Sequence, residues 1–160
     1  PLLERVLNTI IGSLCVGETI SVALLAATRE LLQRTGKPWV MENVMGARRA
    51  IGGSLLLCGT MFGLRVFRHR LFESNVFLMT PPHPKHNGST GSHRGYSRGE
   101  TGPGGRNGYV CVAGHNFVRE AGAKAMGIDW MRNRRELANA IPPAYCRFIG
   151  DQLISHLEAA

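Results

Sequence analysis

A glutamate, two arginines, a basic glycine-rich stretch and scattered cysteines and histidines are the residues of this chain whose types and spacing could do chemistry. Glu42 follows the apolar run Trp39-Val40-Met41, which reads as a buried strand. The C-terminal ends of such strands are where open α/β sheets hold their ligands. Partial desolvation there raises a carboxyl pKa, so that the group can hold or donate a proton. The competing reading has Glu42 capping a turn or pairing with a surface arginine, and the Glu42-Asn43-Val44 triplet alone favours it. Arg68 and Arg70 lie two apart in an alternating run, 68–73, that reads as a strand, so both are expected on one face. Two guanidinium groups on one face repel unless they share anionic or carbonyl partners. Phosphate, carboxylate and a base carbonyl all fit their planar forks.

The stretch from Lys85 to Gly108 holds eight glycines in 24 residues, with Lys85, Arg94, Arg98 and Arg106 against a single acid, Glu100. Such a segment cannot bury its backbone cheaply and reads as a surface loop. Its cations could contact phosphates or guanines, and its glycines would let backbone approach a duplex. An unstructured basic loop with no readout is an equal alternative. His83, His86, His93, Cys111 and His115 match no zinc spacing, so no metal ligands are assigned. Cys15, Cys58, Cys111 and Cys146 form no C-x-x-C pair and read as free thiols in a reducing compartment.

The elements that must position these groups follow from length and patterning. At 160 residues the chain fits one domain with a real core, and 44% apolar against 19% charged residues is a globular composition. The net charge of +8 favours a polyanionic partner, most often nucleic acid; a soluble basic protein without one is the other reading. No apolar run is long enough to span a membrane, and no secretory signal opens the chain. It begins at Pro1, so a fragment or processed chain is expected. Helical periodicity over 2–14 and 21–35, with Gly36 and Pro38 as stops, predicts two helices. Arg29-Glu30 and Gln33-Arg34 are expected on the wet side of the second. Buried strands are predicted at 39–41, 54–58 and 109–112. Helices are predicted over 117–126 and after Pro142-Pro143, the last carrying Tyr145, Phe148, Ile149, Leu153, Ile154 and Leu157 inward.

Four ordered stretches carry a resemblance: PWVMENVMGA (38–47), LLLCGTMFGLRVFRHRLFES (55–74), YVCVAGHNF with AGAKAMGIDWM (109–131), and ELANAIPPAYCRFIG (136–150). Together they resemble the C-terminal half of DNA cytosine-5 methyltransferases, especially the compact phage-type members, over roughly 25–154. The resemblance implies an α/β fold: the C-terminal half of a Rossmann-like, S-adenosylmethionine-dependent methyltransferase sheet with a small Gly- and Arg-rich recognition loop. It divides the chain into an unmatched apolar helical segment (1–24), part of the catalytic domain (25–80), a target-recognition region (81–116) and closing helices (117–160). Glu42 would grip N3 and the exocyclic amine of a flipped-out cytosine. Arg70 would orient the base and the glutamate, and Arg68 would support both. Val66 stands where many members have Gln, which removes one polar contact. Asn139 and Ala140, in Asn-Ala-Ile-Pro-Pro, would border the S-adenosylmethionine pocket; otherwise Asn139 only packs at a helix start. Lys85, Arg94, Arg98 and Arg106 would contact double-stranded DNA. The implied location is the cytoplasm of a bacterial host or phage-infected cell.

Two parts of the family pattern are missing from these 160 residues: the Phe-x-Gly-x-Gly cofactor loop and the Pro-Cys nucleophile. Cys15 lies in an apolar context where burial makes a thiol inert. Two function classes are therefore carried. One is the C-terminal portion of a cytosine-5 methyltransferase, inactive alone. The other is a non-catalytic DNA-binding or partner subunit, with a second chain supplying the cofactor loop and nucleophile.

Overall fold

The computed structural model describes residues 18–86, 109–114 and 117–159. The helix expected over 2–14 lies outside them, as do Cys15, His93, Arg94, Arg98, Arg106 and His115. The fold is mixed α/β with a small three-stranded sheet, and it divides into two units. The first unit includes the chain up to Leu57 together with 69–80 and 151–160; the second is 58–68 with 81–150. This division differs from the linear segments expected above, because Cys58–Arg68 group with the later part of the chain.

The first unit opens with α1 (Glu18–Arg34), followed by β1 (Val40–Asn43), a 3-10 turn (Met45–Arg49), β2 (Leu55–Leu57) and β3 (Arg70–Ser74). Gly36, at φ +62°, takes the left-handed conformation that ends α1 where expected. The sheet order is β1-β3-β2 and β3 is antiparallel to both neighbours, so β1 and β2 run the same way. Register sets opposite residues: Glu42 faces Phe72, Asn43 faces Leu71, and Leu57 faces Arg70. Strand alternation then puts Met41, Leu71 and Glu73 on one face and Glu42, Phe72 and Arg70 on the other. Leu25 and Leu32 of α1 join Trp39, Met41, Leu71, Ala47 and Ile51 in the core on the first face.

Arg29 lies between Leu25 and Leu32 on that helix stripe. It is not on the wet side as expected: its guanidinium reaches Glu73 at 2.6 Å and 2.8 Å and the Ala50 carbonyl at 2.8 Å. Glu73 is buried, so the arginine supplies the partner that a charge in the core requires. Hydrogen bonding to Glu73 holds the Arg29 pKa above its ordinary value, outweighing burial.

The second unit is built on a tight loop and short helices. A 3-10 turn (Gly59–Phe62) closes at Gly63, and the Gly59 N–H donates to the Phe67 carbonyl. A Cβ on Gly59 would stand 2.0 Å from the Val66 carbonyl oxygen, so only glycine fits. The helices are α2 (Arg119–Met126), α3 (Arg134–Asn139) and α4 (Pro143–Ala159), the last passing into the first unit at Asp151. Val66, Val112, Phe117, Met126, Ile128 and Leu137 form its core. Val66, 2% exposed, fills an apolar site, which accounts for a valine where a glutamine would be stranded.

Three expectations are corrected. Residues 109–112 form no strand: Val110 donates one backbone hydrogen bond, to Arg65, and no ladder follows. On α4, Ile154 and Leu157 are each 41% exposed, whereas Tyr145, Ile149 and Leu153 are buried as expected. Asn139 is the last residue of α3 rather than a helix start, and it is exposed.

Candidate functional site

Glu42 and Arg70 meet because of the sheet register. Arg70 sits two residues before Phe72, the residue opposite Glu42, so the pair lies diagonally on one face of adjacent antiparallel strands. Arg70 Nε is 2.9 Å from Glu42 Oε1, and the two side chains are 15% and 5% exposed. The Arg70 guanidinium also donates to the His69 carbonyl at 2.8 Å, which fixes its orientation. A buried carboxylate near the end of the apolar edge strand β1 is thus held by a positioned fork. Such a pair presents a hydrogen-bonding edge to any planar group that reaches it. Asn43, next in the chain, turns its Oδ1 back to the Val44 N–H at 2.8 Å and starts the following 3-10 turn.

Arg68 does not share a strand face with Arg70. The strand begins at Arg70, and Arg68 lies before it with φ +24°, a left-handed backbone that side chains rarely adopt. Its guanidinium donates to the carbonyls of Val112 at 2.7 Å, Ala140 at 2.8 Å and Ala138 at 2.5 Å. The Tyr145 hydroxyl donates to the Arg68 carbonyl at 2.8 Å. The like-charge problem posed by two nearby arginines is therefore solved by separate partners: a carboxylate for Arg70 and backbone carbonyls for Arg68. Arg68 belongs to the second unit, Glu42 and Arg70 to the first.

No family model, curated protein or solved structure matches this chain.

Asn139 and Ala140 adjoin the Arg68 fork, where the Ala140 carbonyl accepts two of its hydrogen bonds. Lys85 is exposed and is the one described member of the four expected DNA-contacting cations. A shallow depression of about 660 Å³ in the second unit is lined by residues including Arg119, Lys124, Asp129 and Trp130 and contains none of these candidates.

Sequence reasoning set the histidines and cysteines aside, yet the structure gathers three of them. Cys58 Sγ lies 3.3 Å from His86 Nε2, and the His83 and His86 ring centroids are 4.6 Å apart. The signal was hidden because Cys58 precedes the histidines by a long interval, and only the folded loop brings them together. Cys58 is fully buried, while Cys111 and Cys146 are half-buried; all three are free thiols.

Proposed function

We propose that this chain is the C-terminal portion of a DNA cytosine-5 methyltransferase and supplies the part that recognises the target base. The observation that carries the reading is the buried Glu42–Arg70 pair at the end of β1. A cytosine presents an exocyclic amine donor and the N3 acceptor on one edge. A carboxyl group that accepts from the amine and shares a proton with N3 matches that edge. Protonation at N3 withdraws electrons from C6 and makes it electrophilic. Arg70 holds the carboxyl in plane and has a fork suited to the neighbouring O2. The base must leave the stack to reach such a group, at a cost of a few kcal/mol in a paired duplex. Two like-directed strands flanking a reversed one are compatible with part of a larger mixed α/β sheet. Arg68 has a different part in this reading: it ties the Ala138–Ala140 turn to the loop before β3 and positions the second unit's own backbone.

The residues present do not fit the whole of an S-adenosylmethionine site. The Asn139 side chain is exposed, and the carbonyls of Ala138 and Ala140 are already bound by Arg68. With no Phe-x-Gly-x-Gly loop and no Pro-Cys dipeptide in the sequence, no transfer step is assigned to these residues. A second chain or a longer polypeptide would bring those parts.

Salt dependence of duplex binding tests the DNA-facing half of the proposal. If Lys85, Arg94, Arg98 and Arg106 each neutralise one phosphate, log K falls with log salt at a slope of roughly −3 to −4. Replacing all four by Ser brings the slope toward zero. A wild-type slope near zero removes DNA from the proposal.

A further inference from the structure

We infer that Cys58, His83 and His86 form a binding site for a zinc ion in the second unit. Three observations carry the inference. First, the ligand atoms converge: the Cys58 sulfur and one nitrogen from each imidazole all lie within 4.8 Å of one another. In a tetrahedral zinc centre, Zn–S near 2.3 Å and Zn–N near 2.0–2.1 Å place ligand atoms roughly 3.3–3.6 Å apart. The observed Cys58 Sγ to His86 Nε2 separation of 3.3 Å is already in that range. The remaining pairs need to close by about 1.5 Å at most, given those bond lengths.

Second, the ligands are held. Cys58 is fully buried at the N-cap of the 3-10 turn, where its sulfur accepts from the Met61 N–H. The Thr60 hydroxyl lies 3.2 Å from the same sulfur. Such outer contacts orient a thiolate ligand. The His86 ring is clamped against Phe67, with centroids 4.1 Å apart and planes inclined by 25°. Phe67 in turn packs on Tyr109 at 4.7 Å.

Third, the donor set is selective. One thiolate and imidazoles suit zinc, whereas magnesium and calcium require oxygen ligands. His83 and His86 both come from the short segment His83-Pro84-Lys85-His86, so one stretch of backbone supplies both imidazoles. The fourth tetrahedral position is left to water.

The consequence is mechanical. An ion here would pin the stem of the basic glycine-rich stretch, at 83–86, to the 3-10 turn at Cys58. This inference stands whether or not the chain recognises cytosine.

The test uses the full, tag-free 160-residue chain titrated with Co²⁺ as a spectroscopic probe, then with Zn²⁺ in competition. The expected result is a single equivalent bound, with a thiolate-to-cobalt charge-transfer band and the intense visible absorption of a four-coordinate ion. Cys58→Ser abolishes the charge-transfer band. His83→Ala, at an exposed position, weakens binding by about a hundredfold or more, since even outer-shell losses reach that size. A weak six-coordinate spectrum overturns the inference. So does binding that is unchanged in His83→Ala, or no saturable binding at one equivalent.

Discussion

Replacing Arg68 separates a structural guanidinium from one that touches substrate. In the fold its guanidinium donates four hydrogen bonds to the carbonyls of Val112, Ala138 and Ala140, and the side chain is only half-buried. A hydrogen bond from a charged group contributes about 1.5–3 kcal/mol. Three carbonyls lost outright would sum to more than water leaves uncompensated at a partly exposed site. Arg68→Ala is therefore expected to cost about 3–5 kcal/mol, the range in which a loss points to a broken network. Lysine keeps the charge but not the fork, so it can serve one or two of the carbonyls; Arg68→Lys should cost about 1.5–3 kcal/mol. Arg68→Gly should cost roughly 1 kcal/mol less than Arg68→Ala, because glycine tolerates the left-handed backbone at φ +24°. Urea unfolding followed by circular dichroism reads all three, with duplex affinity measured alongside under conditions where each variant is folded. A stability change within about 0.5 kcal/mol for Arg68→Ala, together with a loss of DNA affinity, refutes the reasoning and returns Arg68 to the substrate.

Arg70→Met takes the guanidinium away from the buried Glu42 carboxyl and should cost about 3–5 kcal/mol in the same unfolding assay. The double variant Glu42→Leu/Arg70→Met should cost less than the sum of the two single variants, since both charges leave together. Gly59→Ala drives a methyl group to 2.0 Å from the Val66 carbonyl oxygen, and a thermal melt should show the loss of at least about 3 kcal/mol.

The parts of the fold legible in the sequence were those with short-range causes. Trp39-Val40-Met41 is an unbroken apolar run, and it forms the buried β1 with Glu42 at its end. Gly36 and Pro38 stop α1 by backbone rules that need no tertiary contact. What failed depended on contacts far along the chain. Arg29 reads as a wet residue beside Glu30, but its place between Leu25 and Leu32 turns it to a buried Glu73, 44 residues away. Arg68 reads as strand, yet three distant carbonyls and the Tyr145 hydroxyl hold it in a left-handed turn. The short helix α3 was missed because its sequence, Arg-Arg-Glu-Leu-Ala-Asn, has a single fully buried apolar residue, Leu137, and so no periodicity. Val110 and Val112 look like strand residues, but among the described residues no adjacent edge pairs with them. Cys58 and the two histidines carry no recognisable spacing, because the loop that unites them is not periodic.

The central claim is that Glu42 reads a cytosine edge, and base discrimination tests it most directly. Two duplexes, each with one mispaired pyrimidine at the same position, differ only in whether that base is cytosine or thymine. Mispairing lowers the cost of extruding the base, so the edge contact dominates the comparison. Glu42 complements the amine and N3 of cytosine but meets a second acceptor on thymine. A bidentate edge contact is worth about 1–3 kcal/mol of discrimination, roughly fivefold to 150-fold in affinity. Glu42→Gln can present its amide in either orientation, so it should bind both bases about equally while holding cytosine nearly as well as before. Equal affinity of the wild-type chain for the two duplexes, or a preference unchanged in Glu42→Gln, would contradict the account.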